Sequence, residues 1–375
     1  MIAPAGEGAE GRRARPDAGC RLAAQGGVCY FQTSMNASPS ARVLPVHTPE
    51  LFAAAVAEAA ALLRAGEVVA LPTETVYGLA ANALDPQAVR RVFKVKGRPP
   101  HNPLIVHVAD LEMARRCVAQ WPPAAQRLAE AFWPGPLTLV LPRAPEIPDV
   151  VTAGGSTVGI RWPNHPLMQA VIRRCGFPLA APSANLSGRV SPTSAEHVRQ
   201  DLGGRIPLIV DGGPSPVGIE STVLDLSVQP ARILRPGMVH AESLCAVLGE
   251  VAAETGEGRP AAVLKSPGQL TRHYSPRATL RVWSWTDEAD LTRQVASAGC
   301  DPARTHVIAH THIPTQGRWR EVSVIPHDPE AFARAFYAEL RRCDAKGAQW
   351  IIVEAVPQTG PWQGIADRLR RAAAS

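Results

Sequence analysis

Apolar and polar residues alternate along the middle of the chain with the two spacings expected of helices and of strands. Between about residues 45 and 240, apolar positions three and four apart predict helices, and short apolar runs between them predict strands. Leu51 to Ala65 predicts a helix, and Val68 to Leu71 predicts a buried strand. Asp85 can cap a second helix, which Gly97 ends. This alternation is typical of an α/β domain.

Further apolar runs predict that the sheet of this domain has many strands. The runs are short and separated by helical patterns or turns, so we expect a twisted mixed sheet. The predicted strands are Leu104–Val108, Leu137–Leu141, Val158–Trp162, Leu179–Ala181, Leu208–Val210 and Thr222–Leu226.

The pattern changes after residue 240. We interpret residues 241–277 as a linker that can act as a lid, with one short helix near Leu244–Leu248. Residues 278–375 then repeat a shorter α/β pattern, which predicts a small doubly wound C-terminal domain. Its predicted strands are Thr279–Trp283, His306–Ala309 and Trp350–Glu354, and its predicted helices span 288–298 and 329–342.

The first 45 residues show no sustained apolar periodicity. They are rich in Ala, Gly, Arg, Pro and Ser, and we expect a disordered extension there. Its arginines are typical of a transit peptide, whereas Glu7, Glu10 and Asp17 are not. Foldable sequence begins only near Val43, so Met35 is a candidate for the true start of the protein. The larger domain is then predicted to span residues 46–240.

Composition and charge narrow the class of protein. Hydrophobic residues make up 46% of the chain and charged residues 19%, a balance typical of globular proteins. No stretch approaches the roughly 20 apolar residues of a membrane helix. The seven cysteines are scattered and never form C-x-x-C, which favours reduced thiols in a cytoplasmic protein over a zinc cluster. The net charge of +6 suits an anionic ligand such as a nucleotide or RNA.

The basic segment Lys94–Arg98 is the first candidate for chemistry. Lys96 and Arg98 are two residues apart, so on an extended backbone both side chains project to one side. Together they can bind a polyphosphate with a point charge and a bidentate fork. A solvated basic helix end is the structural alternative. The usual nucleotide fingerprints are absent: Gly154 to Arg161 lacks the Lys and hydroxyl residues of a P-loop.

Three more polar segments follow predicted strands. Pro182–Gly188 holds Ser183 and Asn185, where α/β sheets place ligand contacts, although an ordinary polar turn fits equally well. A serine nucleophile is less consistent, because the G-x-S-x-G elbow is missing. Pro72–Leu79, with two threonines and a glutamate, can bind a small zwitterion or simply turn the chain. Gly218–Val223, followed by Ile233–Gly237, is ambiguous when taken alone.

Taken together, these segments are not ambiguous. PTETVYGL, KVKGRPPHNPLIVHV, WPGPLTLVL, VGIRWPNHP, APSANLSG, GIESTVLD and ILRPG occur in this order between Leu71 and Gly237. They closely resemble the YrdC-like threonylcarbamoyl-AMP synthase family. Ser266-Pro267-Gly268, His273-Tyr274-Ser275-Pro276 and the C-terminal α/β pattern resemble its longer, two-domain form.

The resemblance implies a reaction and its participants. The family is a nucleotidyltransferase family that makes threonylcarbamoyl-AMP and pyrophosphate from L-threonine, bicarbonate or CO₂, and ATP. The product serves N6-threonylcarbamoyladenosine modification of tRNA. It implies ATP as a substrate with Mg²⁺, a downstream tRNA threonylcarbamoyl transferase complex as partner, a possible contact with double-stranded RNA, and no membrane.

The resemblance also implies the site residues. The catalytic tetrad is expected to be Lys96, Arg98, Ser183 and Asn185. The ATP contacts are expected to be Arg98, Asn102, Thr157, Ser183, Ser191, Arg235 and Tyr274. Threonine is expected to lie among Thr75, His107, Arg161, Ala181 and Ser221. No metal ion is expected to be held by protein side chains.

Two other classes of protein fit part of the pattern. An RNA-binding module of the same fold would use a concave basic surface without cleaving ATP. A carbamoyl-transfer maturation factor has a related domain, but such proteins pair it with zinc-finger motifs that are not found here.

Overall fold

The computed structural model describes residues 40–253, 264–268 and 273–374, which form alternating strands and helices. The strands are β1 Arg42–Pro45, β2 Val69–Leu71, β3 Gly78–Asn82, β4 Ile105–His107, β5 Leu137–Pro142, β6 Thr157–Arg161, β7 Leu179–Ala180, β8 Leu208–Asp211, β9 Thr222–Asp225, β10 Ala231–Arg235, β11 Val251–Ala253, β12 Thr279–Trp283, β13 Thr305–Ala309, β14 Glu321–Val324 and β15 Trp350–Glu354. The helices are α1 Pro49–Arg64, α2 Pro86–Lys96, α3 Leu111–Arg116, α4 Pro123–Phe132, α5 Asp149–Thr152, α6 Pro166–Cys175, α7 Ala195–Leu202, α8 Ala241–Leu248, α9 Glu288–Ser297, α10 Pro329–Ala345 and α11 Gln363–Ala373.

Strands β1 to β11 form one mixed sheet in the order β1-β8-β2-β3-β7-β4-β6-β5-β9-β10-β11. The sheet contains parallel pairs, such as β4 with β6, and antiparallel pairs, such as β5 with β6. The mixed α/β fold expected from the sequence is therefore confirmed. Its apolar core includes side chains from β2, β5 and β8 together with the buried faces of α1 and α6. This arrangement leaves the polar segments that follow β2 and β7, together with residues of β4 and β6, free to form a site.

Helix α2 shows how local sequence positions a functional side chain. Asp85 accepts a hydrogen bond from the backbone N–H of Gln87 at 2.8 Å, and Gly97 ends the helix in the left-handed region at φ +59°. Val89 and Val92 are buried, and Lys96 is also buried at the last helical position. Lys94 is exposed. The basic helix end is thus only partly a solvated one.

Strands β12 to β15 form a separate, all-parallel sheet in the order β12-β15-β13-β14. Helix α9 packs with an apolar cluster on one face, and helices α10 and α11 contribute to a different cluster. Such helices on two faces of a parallel sheet are a small doubly wound arrangement, as predicted. Val76, Ile219 and Tyr274 share the cluster of α10 and α11, so the two sheets are joined by apolar packing.

Two predicted boundaries were wrong. Arg42–Pro45, assigned to the disordered extension, forms β1 and pairs in parallel with β8. Val251–Ala253, assigned to the linker, forms β11 and extends the first sheet beside β10. Both strands have only three or four residues, too few for a period of two to be recognised, and their partners are supplied by other parts of the sheet. Residues 1–39, including Met35, lie outside the described residues.

No helix among the described residues is both long and apolar enough to cross a membrane.

Candidate active site

A narrow cavity lies where the polar segments of the first sheet meet the region after β11. Its wall is built from the segments after β2 and β7, from β4 and β6, and from Ser221 and Arg235. Pro267, His273 and Tyr274 close it from the other side. Its free volume is about 50 Å³, enough for a few water molecules but not for a nucleotide.

Three buried cations lie together at one end of the site, which we call the cationic end. Arg98 and Arg235 line the cavity, and Lys96 lies behind its wall. Lys96 Nζ donates hydrogen bonds to the main-chain carbonyls of Ser183 and Asn185. Arg98 donates to the carbonyl oxygen of Asn102 at 3.0 Å and to its side-chain Oδ1 at 2.6 Å. All three cationic residues are more than nine-tenths buried.

Arg235 completes this end from β10. Its guanidinium donates to the carbonyl of Ser221 at 3.0 Å and to the Ser221 hydroxyl at 3.1 Å. Within the described ranges, neither Lys96 nor either arginine has a carboxylate within 4.0 Å. Neutral oxygens satisfy their hydrogen bonds but do not balance their charge.

The pKa values of these three cationic groups are all lowered. Burial, followed by repulsion from Arg98, lowers the pKa of the Lys96 ammonium well below its usual value. Burial lowers the pKa of Arg98 to about 9 and also lowers the pKa of Arg235. A bound anion would restore the favourable environment of all three charges.

The opposite end carries hydroxyl groups and one ion pair, and we call it the hydroxyl end. Arg161, from the last position of β6, donates to the hydroxyl of Thr75 at 2.9 Å. Arg161 Nη2 also lies 2.6 Å from Glu74 Oε2, and both side chains are buried. Ser221 contributes a second hydroxyl, 2.8 Å from that of Thr138.

His107 lies beside this end and is uncharged. Burial, followed by the charge of Arg161, lowers the pKa of its imidazole to about 3. Its Nδ1 is buried and has no hydrogen-bond partner among the described residues. A neutral ring with a free nitrogen can accept or donate a hydrogen bond to a small polar ligand.

Tyr274 forms the cover of the cationic end. The residue adopts φ +62°, a conformation that side chains other than glycine rarely adopt, and only 1% of it is exposed. Its ring stacks on Tyr337 from α10 at 5.8 Å between centroids, and the guanidinium of Arg368 from α11 lies 5.4 Å from its centre. Burial raises the pKa of its phenol. The contacts with α10 and α11 hold the residue in this strained conformation.

Most of the residues predicted from the sequence come together here. The cavity is lined by all five residues assigned to threonine (Thr75, His107, Arg161, Ala181 and Ser221) and by four of those assigned to ATP (Arg98, Ser183, Arg235 and Tyr274). Three more of the predicted residues do not line the cavity but lie behind its wall: Lys96, Asn102 and Asn185.

Two of the predicted ATP contacts lie apart from the cavity wall. Ser191 is buried and donates to Glu220 Oε1 at 2.6 Å. Thr157 begins β6, four residues before Arg161, so the two lie about 13 Å apart along the strand and on the same face. The structure does not bring Thr157 into the cavity, and its role stays a prediction.

Three residues of the site were not identified from the sequence: Glu220, Tyr337 and Arg368. Glu74 was noted within Pro72–Leu79 but was not assigned to the site. Glu220 lies inside a recognised motif, and a carboxylate followed by two hydroxyl residues was a usable signal for it. Tyr337 and Arg368 come from α10 and α11, and both contact Glu220. Nothing in the local sequence separates these two from ordinary helix residues.

Comparison with known proteins gives matches over nearly all of the described chain. The Sua5, YciO and YrdC family model, described as telomere recombination, matches residues 61–237. A second model, described as the C-terminal domain of threonylcarbamoyl-AMP synthase, matches residues 239–374.

Individual relatives extend this similarity. The threonylcarbamoyl-AMP synthase of Bacillus subtilis is 42% identical over 327 residues, covering 85% of this chain and 92% of the relative. That of Pyrococcus abyssi is 40% identical over 318 residues, covering 84% and 92%. A crystal structure of P. abyssi Sua5 complexed with L-threonine superimposes with a TM-score of 0.81 at 38% identity, covering 88% of this chain and 96% of that one.

Proposed function

The chain belongs to the threonylcarbamoyl-AMP synthase family, and from that premise we propose that it makes L-threonylcarbamoyl-AMP from L-threonine, bicarbonate or CO₂, and ATP. The threonine amine adds to CO₂ to give a carbamate. A carbamate oxygen then attacks the α-phosphorus of ATP, the bond from that phosphorus to the bridging oxygen breaks, and pyrophosphate leaves. The enzyme is thus a nucleotidyltransferase that supplies tRNA modification.

The observation that carries the proposal is the cationic end. Three buried cations that are hydrogen-bonded only to neutral oxygens are unfavourable unless an anion joins them. A triphosphate carries enough negative charge to offset these three cations. The same cations offset the repulsion between carbamate and triphosphate, and they stabilise the charge that develops on the leaving pyrophosphate. No residue needs to act as a covalent nucleophile.

The hydroxyl end is suited to threonine. Arg161 has guanidinium hydrogens beyond those directed at Thr75 and Glu74, and these can bind the amino acid carboxylate. The hydroxyls of Thr75 and Ser221 and the neutral ring of His107 can hold the substrate hydroxyl and amine. Ser221 also accepts from Arg235, so the two ends meet at this serine.

The cover formed by Pro267 and Tyr274 fits the chemistry of the product. The adenylate is a mixed anhydride that water hydrolyses, and a closed cavity excludes water. Since the closed cavity has room for only about 50 Å³, we propose that this segment opens to admit ATP and closes over it.

Mg²⁺ is expected to accompany ATP. The described residues contain no group of three or more His, Cys, Asp or Glu side chains placed to hold a metal ion. The two carboxylates of the site, Glu74 and Glu220, are already paired with arginines. Mg²⁺ would therefore enter with ATP and would supply positive charge that polarises the phosphates, while Lys96, Arg98 and Arg235 would bind the triphosphate itself. Contact with RNA and delivery to a downstream transferase stay predictions.

One assay tests the function directly. The protein is incubated with L-threonine, bicarbonate and ATP, each is omitted in turn, and pyrophosphate and the adenylate are measured. We expect both products only when all three substrates are present. Release of pyrophosphate that does not depend on threonine, or RNA binding without any ATP cleavage, would overturn the proposal.

A further inference from the structure

The carboxylate of Glu220 lines the cavity, and most of its partners come from the C-terminal sheet and its helices. Its Oε1 accepts from the hydroxyl of Ser191 at 2.6 Å. Its Oε2 accepts from the Tyr337 hydroxyl of α10 at 3.0 Å and from Arg368 Nε of α11 at 3.0 Å. Burial raises its pKa, but the charges of Arg368 and Arg235 outweigh burial, so the net pKa is lowered and the group is ionised.

Arg368 is fixed by contacts on every side. It is fully buried and donates to the carbonyls of Pro236 at 2.8 Å and of Glu220 at 3.3 Å. Asp367 holds the same guanidinium at 2.9 Å. The side chain also lies 5.4 Å from the ring centre of Tyr274, the cover of the cavity.

Glycines allow helices α10 and α11 to approach the segments that carry Glu220 and Arg235 closely. A Cβ on Gly218, which has φ +85°, would lie 2.3 Å from the carbonyl oxygen of Ala333 in α10. A Cβ on Gly364 of α11 would lie 3.0 Å from the Cα of Gly237. The segments that carry Glu220 and Arg235 are therefore direct docking surfaces for the C-terminal helices.

The charges of the cavity explain why such docking matters. Arg235 is hydrogen-bonded to Ser221, the residue after Glu220, and lies close enough to lower the pKa of that carboxylate. A Glu220 carboxylate without a partner would attract Arg235 and repel the phosphates of ATP. With Arg368 present, Glu220 is neutralised from outside the cavity and Arg235 stays available.

We propose that Arg368 is a positioning residue through which the C-terminal domain keeps Arg235 free for ATP by neutralising Glu220. The proposal rests on the function proposed above for its choice of ligand. It gives the C-terminal domain a defined part in nucleotide binding, exerted through a buried ion pair and without contact with the substrates.

The test compares Arg368→Met, which keeps volume but removes charge, with Arg370→Met. Arg370 lies on the same helix and also contacts Asp367, at 2.6 Å, but 73% of its side chain is exposed. In Arg368→Met the KM for ATP should rise roughly tenfold, an ordinary size for a coupling between sites. The KM for threonine should change by less than about twofold in either variant, as should the KM for ATP in Arg370→Met.

The double variant Glu220→Gln/Arg368→Met separates charge balance from general packing. Because glutamine is uncharged, it does not require the positive charge of Arg368 to neutralise it. ATP affinity should therefore return to within about threefold of the Glu220→Gln single variant. An unchanged KM for ATP in a folded Arg368→Met protein overturns the proposal. So does a double variant that binds ATP no better than Arg368→Met. If Arg368→Met does not fold, the double variant must fold and match Glu220→Gln, or the proposal is wrong.

Direct calorimetric titration of the full-length protein with ATP, in the absence of threonine, keeps this test separate from the proposed activity. If the wild type binds ATP in this titration but forms no adenylate in the complete assay with threonine and bicarbonate, the proposed function fails. The order of ATP affinities among the four variants still decides the role of Arg368.

Discussion

Arg161, in the wall of the cavity, has its Nη2 2.6 Å from Glu74 Oε2, so the arginine expected to bind threonine is already paired with a carboxylate of the chain. Glu74 is itself held, because its Oε1 accepts from the backbone N–H of Asn164 at 2.9 Å. The pair fixes the plane of the guanidinium while leaving part of it free. A substrate carboxylate would then meet an oriented fork and not a mobile side chain.

Replacing Arg161 by lysine should impair threonine binding selectively. Lysine keeps the charge but loses the planar fork and its bond to Thr75, so the KM for threonine should rise about 10- to 100-fold. Pyrophosphate release is measured at varied threonine and saturating ATP. The KM for ATP should change by less than about threefold. Arg173→Lys, on the exposed surface of α6, is the control and should leave both constants unchanged. Equal effects on both substrates would contradict the assignment.

Lys96→Ala should reduce threonine-dependent pyrophosphate release by roughly 10²–10³-fold, because one preorganised charge is lost from the cationic end. Lys94→Ala is a matched control. Lys94 is on the same helix and has the same chemistry but is exposed, so this variant should keep near-wild-type activity. If Lys96→Ala retained activity within a few-fold of the wild type, the role assigned to the cationic end would be wrong.

ATP binding should be accompanied by proton uptake. In the free protein, burial and Arg98 hold the pKa of Lys96 well below its usual value, whereas Arg98 itself, with a pKa of about 9, is still mostly protonated at pH 8. Triphosphate raises the pKa of Lys96, so the complex binds more protons than the free protein and affinity should fall as pH rises.

Calorimetry at pH 8 in two buffers with different ionisation enthalpies measures this proton number. A positive value is expected for the wild type and a smaller one for Lys96→Met. Zero uptake in the wild type would show that Lys96 is fully charged before ATP arrives.

Gly268→Ala should weaken closure of the cavity. Gly268 has φ +90°, and a Cβ there would lie 2.7 Å from Arg235 Cδ and 3.1 Å from the Tyr274 hydroxyl. The conformation alone disfavours a side chain by about 1–2 kcal/mol, which would lower the closed population about 5- to 30-fold. More of the adenylate should then appear as AMP, measured as the ratio of AMP to threonylcarbamoyl-AMP during turnover.

The control for closure is Gly249→Ala. Gly249 has a similar φ of +87°, but among the described residues a Cβ added there would meet no atom within 4 Å beyond its chain neighbours. The substitution therefore introduces the backbone strain without the clash. Its product ratio should match that of the wild type. An unchanged ratio in Gly268→Ala would count against the lid.

The parts of the fold that were predicted are those whose signals are local. Helix α2 was placed by a capping aspartate and a terminal glycine, and β12 and β15 by five-residue segments rich in apolar residues. The short strand β11 was missed because its pairing with β10 comes from the sheet and not from its own three residues. The identity of most cavity-lining residues followed from motif resemblance, whereas their partners did not.

The sequence by itself determined which side chains are predicted to carry the chemistry: Lys96, Arg98, Thr75 and Arg161 are recognisable from segment motifs and their order. Only the tertiary structure decided how their charges are balanced. Arg161 is paired with Glu74, far away in the chain, whereas Lys96 and Arg98 have no carboxylate partner among the described residues. Arg368 reaches Glu220 across 148 residues of chain. Electrostatic interactions act through space, and their strength depends on burial. A local sequence pattern gives neither the spatial distance between two residues far apart in the chain nor their exposure.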